Sequence, residues 1–275
     1  MNTQPFFLPS DGAAGGQRFC LYHAPHPPVA RGAVVYVHPF AEEMNKSRRM
    51  AALQSRAFAA AGYAVLQIDL LGCGDSSGDF ADARWSDWLD DVTQAAQWLQ
   101  SRHEAPLWLW GLRAGCLVAA DAARAMSHET RLLLWQPTPS GKLVLQQFLR
   151  LKTAAGMLGG QARHTLDALR SQLAAGESVE VAGYRLSAAL AGALEEASLA
   201  PSPRVQRVEW LELSTREDAS LAAASLMKLQ QWQDAGAPTR SHLVRGPGFW
   251  QTTEIEEAPA LLDATLAALQ EEVTA

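Results

Sequence analysis

The run Pro106-Leu107-Trp108-Leu109-Trp110 stops at Gly111-Leu112-Arg113-Ala114-Gly115 and gives way to a helix-like run from Cys116 to Met126. The first run has the length of a buried strand and the second that of a helix. Paired glycines permit a sharp turn between them, because glycine adopts backbone angles that other residues avoid. A strand that turns tightly into a helix belongs to a parallel sheet, whose ligands bind beyond the C-terminal ends of the strands. In the middle of this turn stands Arg113. A guanidinium stays protonated in proteins and has no lone pair to attack with. The bend therefore presents a fixed positive charge at the C-terminal edge of the sheet, where ligands bind.

The surrounding sequence repeats the pattern. Phe6 to Leu8 and Phe19 to Tyr22 read as short strands around the glycine-rich loop Asp11 to Gly16. Ala33 to Val37 and Ala64 to Ile68 are continuous apolar runs of strand length, separated by a helix over Lys46 to Ala61 that stops at Gly62. A helix over Trp85 to Gln100 carries Trp85, Trp88, Leu89, Val92, Ala96 and Leu99 at the spacing of one buried stripe. After a strand at Leu132 to Trp135 the alternation breaks. Between Pro137 and Pro203 the sequence predicts helices only, over Leu143 to Met157, Ala162 to Ala175 and Leu186 to Leu199. It resumes with strands at Val208 to Leu213 and Ser241 to Val244, and helices at Ala219 to Ala235 and Ala258 to Glu271. The expected fold is α/β: a mostly parallel sheet flanked by helices, with residues 1–136 and 204–275 as core and residues 137–203 as an inserted helical cap.

Composition narrows the function classes. Among 275 residues, 48% are hydrophobic, yet no uninterrupted apolar run reaches the ~18 residues of a membrane helix. The net charge of −6 argues against nucleic acid as the main partner. Cys20, Cys73 and Cys116 are odd in number and widely spaced, which points to a reducing, cytoplasmic setting. None has the spacing of a metal site, and nothing in the sequence calls for a cofactor.

Three other strand ends carry polar residues. The first is His38-Pro39-Phe40-Ala41-Glu42-Glu43, and the second is Asp69-Leu70-Leu71-Gly72-Cys73-Gly74-Asp75-Ser76-Ser77-Gly78. The second matches D-x-x-G-x-G-x-S-x-G at every position and resembles the α/β-hydrolase superfamily. That resemblance implies a G-x-S-x-G elbow with serine as nucleophile, here replaced by Arg113. It also implies an oxyanion hole from the His38 loop and the residue after the nucleophile. Pro39 has no N–H, but Phe40 and Ala114 do. The acid of the triad is expected after the strand that follows the cap, where Glu217 and Asp218 stand. The histidine is expected in Gly246-Pro247-Gly248-Phe249-Trp250, where Phe249 takes its place, and no histidine follows His242. Losing both nucleophile and base argues against Ser-His-Asp acyl transfer.

More narrowly, the chain resembles the exosortase A system-associated hydrolase 2 family. The resemblance rests on Val35 to Arg49, Gln67 to Gly78 and Trp108 to Gly115, above all on the unusual run Pro39-Phe40-Ala41-Glu42-Glu43-Met44-Asn45-Lys46-Ser47-Arg48-Arg49. It implies a protein that accompanies exopolysaccharide production.

Three readings follow. In the first, the chain is catalytically silent and binds an acidic small molecule or a glycan-related intermediate. Its binding residues are Arg113, Ala114, Phe40, Glu42, Arg48 and Phe249. Within this reading Arg113 is either a clamp for carboxylate or phosphate, or the partner of Glu42, Glu43, Glu217 or Asp218 in a closed site. In the second, a relocated constellation (Cys73 or Ser76 with His38 and Glu42) hydrolyses esters or thioesters. In the third, the helical cap docks a protein of the polysaccharide machinery; several of the nine tryptophans lie outside the strand-like runs and could serve sticky surfaces, although most are expected in the core.

Overall fold

The computed structural model describes residues 3–155 and 161–270. Eight strands form one sheet: β1 (Thr3–Pro9), β2 (Gln17–His23), β3 (Gly32–Val37), β4 (Tyr63–Ile68), β5 (Leu107–Leu112), β6 (Thr130–Trp135), β9 (Val205–Ser214) and β10 (Thr239–Arg245). Their order is β1-β2-β4-β3-β5-β6-β9-β10. Pairing is antiparallel for β1–β2 and β2–β4 and parallel from β4 to β10. Strands β3 and β5 are buried along their whole length, which explains why they read as continuous apolar runs rather than alternating ones.

Helices cover both faces. They are α1 (Glu42–Ala60), α2 (Trp85–Gln100), α3 (Gly115–Ala125), α7 (Ala223–Asp234) and α8 (Pro259–Gln270). The stripe on α2 is buried as its spacing predicts at Trp85, Trp88, Val92, Ala96 and Leu99, while Leu89 is half-buried. Among these side chains, Val92 and Leu99 contribute ~1.5–3 kcal/mol each on burial. Helix α1 starts four residues before the expected Lys46, so Glu42 and Glu43 form its first turn, where the helix dipole favours carboxylates. The expected ends at Met157 and Glu271 lie outside the described residues.

The stretch between β6 and β9 departs from the all-helical expectation. It holds α4 (Gly141–Ala155), α5 (Gln161–Ala174), the hairpin β7 (Val179–Val181) with β8 (Tyr184–Leu186), and α6 (Ala188–Glu196). Ala182 and Gly183 both have positive φ, at 50° and 84°, the backbone of a two-residue hairpin turn. Alternation in Val179-Glu180-Val181 and a glycine in the turn were the sequence signals for it. Ser187 then caps α6, its Oγ accepting from the Leu190 amide at 3.2 Å.

Strand order reverses at β3. The chain moves from β3 to β4 on one side and later to β5 on the other. The crevice between the ends of β3 and β5 is the place where an open parallel sheet binds ligands. Three of the four non-glycine residues with positive φ lie at strand ends around it: Ala41, Arg113 and Gln136. Strained backbone gathers at functional sites because the surrounding structure must hold it there.

Candidate functional site

The elbow forms as the sequence predicts, and its glycines are sterically obligatory. A Cβ on Gly115 would lie 2.3 Å from the Val37 carbonyl oxygen and 2.5 Å from that of His38; one on Gly111 would lie 2.5 Å from Cys116 Cα. Helix α3 thus starts in direct contact with the end of β3. Arg113 sits at φ 55°, and its amide donates to the Trp135 carbonyl at 2.9 Å. The left-handed conformation costs a non-glycine residue roughly 1–2 kcal/mol.

Above the elbow lies a cavity of about 300 Å³. Phe40 and Ala114 line it from the two loops, and Glu42, Glu43 and Lys46 from α1. Helix α4 contributes Val144, Gln147, Phe148 and Leu151, and Trp250 and Gln251 close the side after β10. One wall is therefore apolar and the other charged. The Arg113 guanidinium spans them: Nε donates to Glu43 Oε1 at 3.3 Å, Nη2 donates to Gln147 Oε1 at 2.8 Å, and Cζ lies 5.4 Å from the centre of the Trp250 ring. Its Nη1 has no partner among the described residues. Nor does any described group accept from the amides of Phe40 and Ala114.

Burial governs the acids here. It pushes the Glu43 carboxyl up to about 7, against the pull of Arg113. Glu42 is also raised by burial, and its Oε2 has no hydrogen-bond partner. Carboxyls that resist ionisation beside Arg113 and Lys46 leave the cavity leaning positive.

Several expected site residues are elsewhere. Arg48 faces away from the cavity and grips Asp69, with Nη1 to Oδ1 at 3.2 Å and Nη2 to Oδ2 at 2.9 Å. Its neighbour Arg49 pairs with Glu257. Phe249 is fully buried between Trp135 and Trp250, so the histidine seat has become core and the next residue, Trp250, meets the cavity. Glu217 pairs with Arg245 and Asp218 with Arg216, all well exposed and none lining the cavity. Arg113 thus chooses Glu43 from its four expected carboxylate partners.

The relocated constellation does not assemble. Both nitrogens of the His38 ring are engaged: Nδ1 with the Pro39 carbonyl at 2.8 Å and Nε2 with the Leu70 amide at 3.2 Å. The bonds fix a neutral ring whose acceptor nitrogen is already occupied, and burial lowers its basicity further. Ser76 Oγ donates to the Asp69 carbonyl at 2.5 Å and accepts from the Phe19 amide. Cys73 is buried, and burial pushes its thiol up, away from thiolate formation. The tryptophans do not form a docking surface either: eight of the nine are buried, and Trp98 packs on Phe6 and Tyr22. Gln147 and Trp250 are the polar and aromatic contacts of Arg113 that the sequence did not reveal, along with the lining residues Val144, Phe148, Leu151 and Gln251. The α4 residues are helix positions like many others, and Trp250 stands one residue beyond the place of the histidine.

Residues 28–167 match the family model described as serine aminopeptidase, S33. No curated protein matches the sequence significantly. Solved structures do resemble the fold. A hydrolase from Agrobacterium vitis S4, titled as putative, superposes with a TM-score of 0.63 at 17% identity, covering 98% of both chains. Est1E from Butyrivibrio proteoclasticus, solved with ferulic acid bound, gives 0.64 at 14% identity over 96% of this chain and 97% of that one. The α/β-hydrolase GrgF from Penicillium sp. sh18 gives 0.64 at 15% identity, covering 98% of both. Such identities speak for the fold alone.

Proposed function

The chain belongs to the serine aminopeptidase S33 family of α/β-hydrolases, and from that premise we propose that it keeps the family's cleft and uses it to bind an anionic small molecule rather than to transfer acyl groups. One observation carries the reading: the elbow that would aim a nucleophile aims the Arg113 guanidinium into the cavity instead. No histidine among the described residues stands ready to activate another group, since His38 is bonded on both sides and Phe249 fills the histidine seat, and the Glu43 carboxyl is engaged by Arg113. Phe40 and Ala114, whose amides the resemblance assigns to an oxyanion hole, line the same cavity as Arg113 at the start of α3, where the helix dipole favours an anion.

In this reading residues 137–203 act as a cap on a core made of 1–136 and 204–275, and α4 supplies the apolar wall against which the body of the ligand packs. The run Pro39 to Arg49 supports a finer placement beside the exosortase A system-associated hydrolases. With it come a glycan-related intermediate as ligand, a cytoplasmic location and a partner in polysaccharide production. No helix among the described residues is long and apolar enough to cross a membrane.

The test is Arg113→Ala against a panel of small carboxylates and phosphates followed by calorimetry. Affinity falls at least tenfold, about 1.4 kcal/mol, when a charge-assisted pair is lost. Equal affinity in the variant overturns the reading. Arg113→Ser, which restores serine to the elbow, leaves p-nitrophenyl ester turnover at the level of buffer because no histidine is placed to accept the proton. Substantial turnover by the unaltered protein also defeats it.

A further inference from the structure

Arg113 already has a carboxylate, and how it holds that carboxylate points to a ligand. A bidentate arginine–carboxylate pair uses two parallel bonds. Glu43 offers one long contact of 3.3 Å to Nε, while Nη2 is spent on the neutral Gln147 and Nη1 on nothing described. The same molecule shows the full pair a few residues away, where Arg48 meets Asp69 through both nitrogens. Glu43 therefore occupies an anion seat without filling it.

We propose that Glu43 is a displaceable internal counter-ion, and that the cavity takes an amphipathic monocarboxylate whose head replaces Glu43 on Arg113 while Glu43 takes up one proton from solvent. The inference rests on the anion-binding reading above. The balance is simple. Before binding, Arg113 faces the Glu43 carboxylate. After it, Arg113 faces the ligand carboxylate, and a carboxyl that has lost its cation in a buried site is held as the neutral acid. No bond other than O–H forms or breaks.

The groups around Glu43 choose the ligand's charge. Glu42 and Lys46 face it from α1 and Arg113 from the elbow; α4 adds the uncharged Gln147, and the segment after β10 adds the uncharged Trp250 and Gln251. With Glu43 neutralised, Arg113 and Lys46 balance Glu42 and one ligand charge. A dianionic phosphate would leave an unmatched charge beside Glu42. Phe40, Val144, Phe148 and Leu151 give the apolar body its place. The proximity of the Glu43 carboxyl to neutrality, at about 7, makes the exchange facile near physiological pH.

Titration calorimetry of octanoate, in two buffers of different protonation enthalpy, tests this directly. Near pH 8 binding takes up about one proton, and near pH 6, where Glu43 is mostly protonated beforehand, far fewer. Apparent affinity correspondingly falls by up to about tenfold per pH unit above the Glu43 midpoint and is flat below it. In Glu43→Gln octanoate binds more tightly at pH 8 and the proton uptake disappears. Octanamide binds at least tenfold more weakly than octanoate, and octyl phosphate no more tightly than octanoate. Arg113-dependent binding without proton uptake overturns the displacement and leaves the anion-binding reading standing; so does stronger binding of octyl phosphate. Equal binding of octanamide, or octanoate affinity unchanged in Arg113→Ala, removes both, as does failure of every probe to bind. Proton counting on the unaltered protein keeps the test decisive even where Glu43→Gln fails to fold.

Discussion

At the C-terminal end of the sheet two arginines meet two carboxylates, and the two meetings have opposite characters. Asp69 is knotted into its loop: it holds both nitrogens of Arg48, and its Oδ2 also accepts from the Asp75 amide at 3.1 Å. Gly74 makes the knot possible, at φ 55° with room for no Cβ, since one would lie 2.0 Å from Asp69 Oδ2. Every acceptor there is used, as a structural pair requires. Glu43 and Arg113 meet through one long bond, on strained backbone, at the edge of a cavity. The first arrangement is what folding selects; the second has bonding capacity left for something else. The superfamily loop is kept as scaffold, while the departures from the superfamily pattern lie at the elbow, with Arg113, and after β10, with Phe249.

The largest expected effect separates the two pairs by stability. Asp69→Ala strips a nearly buried acceptor from Arg48, the Asp75 amide and the loop, and should cost about 3–4 kcal/mol in urea unfolding. Arg113→Gly should stay within about 1 kcal/mol of the parent, because relief of the left-handed strain offsets the loss of a weak pair. Equal losses in the two variants would erase the distinction.

The next effect is on pH dependence. Glu43 rises from an ordinary carboxyl value of 4.5 to about 7 in the folded chain, so the folded state holds more protons than the unfolded state between those values. Its stabilisation is complete below about pH 4.5 and is lost as pH rises through 7, on the order of 2–3 kcal/mol. Asp91, raised to about 6 by burial beside Arg18, changes stability in the same direction over a lower window. His23, lowered to about 4 by burial, and His38, also lowered by burial, act in the opposite direction below about pH 6.5. Unfolding free energies should therefore decline between about pH 6.5 and 8, and in Glu43→Gln that decline should largely vanish. An unchanged slope would place the Glu43 carboxyl in ordinary solvent.

Much of this contrast was legible in the sequence, for a physical reason: backbone-driven features leave local signatures. Gly111 and Gly115 announce the elbow because no side chain fits at either position, and the apolar runs of β3 and β5 announce strands buried on both faces. Side-chain partnerships across the fold leave none. Arg48 read as a cavity residue because its helix starts there, but which face of α1 it occupies depends on a helix start at Glu42 rather than Lys46. Phe249 read as lining because it takes the histidine's place. A large apolar side chain at that place is drawn into the core, where Trp135 covers it, and only the following ring reaches the cavity. Gln147 reaches Arg113 from a helix inserted about 30 residues downstream, a contact set by tertiary packing alone.

The smallest expected effect bears on the residues that the superfamily pattern marks most strongly after the elbow. Glu217 and Asp218 stand where the resemblance to the superfamily would put a triad acid, yet each is spent on an exposed arginine, Arg245 at 2.6 Å and Arg216 at 3.0 Å. Exposed pairs are worth ~0.2–1 kcal/mol, because two long side chains lose freedom to gain a contact that water screens. The double change Glu217→Ala with Asp218→Ala should shift stability by no more than about 0.5 kcal/mol and leave octanoate affinity unaltered. The affinity is the sharper measurement. A triad acid acts only through a histidine that it orients, and with Phe249 in that seat there is nothing for it to orient. A tenfold weakening of octanoate in the double variant would mean that the end of β9 still belongs to the site, and the elbow would no longer be the place where this chain parts from its catalytic relatives.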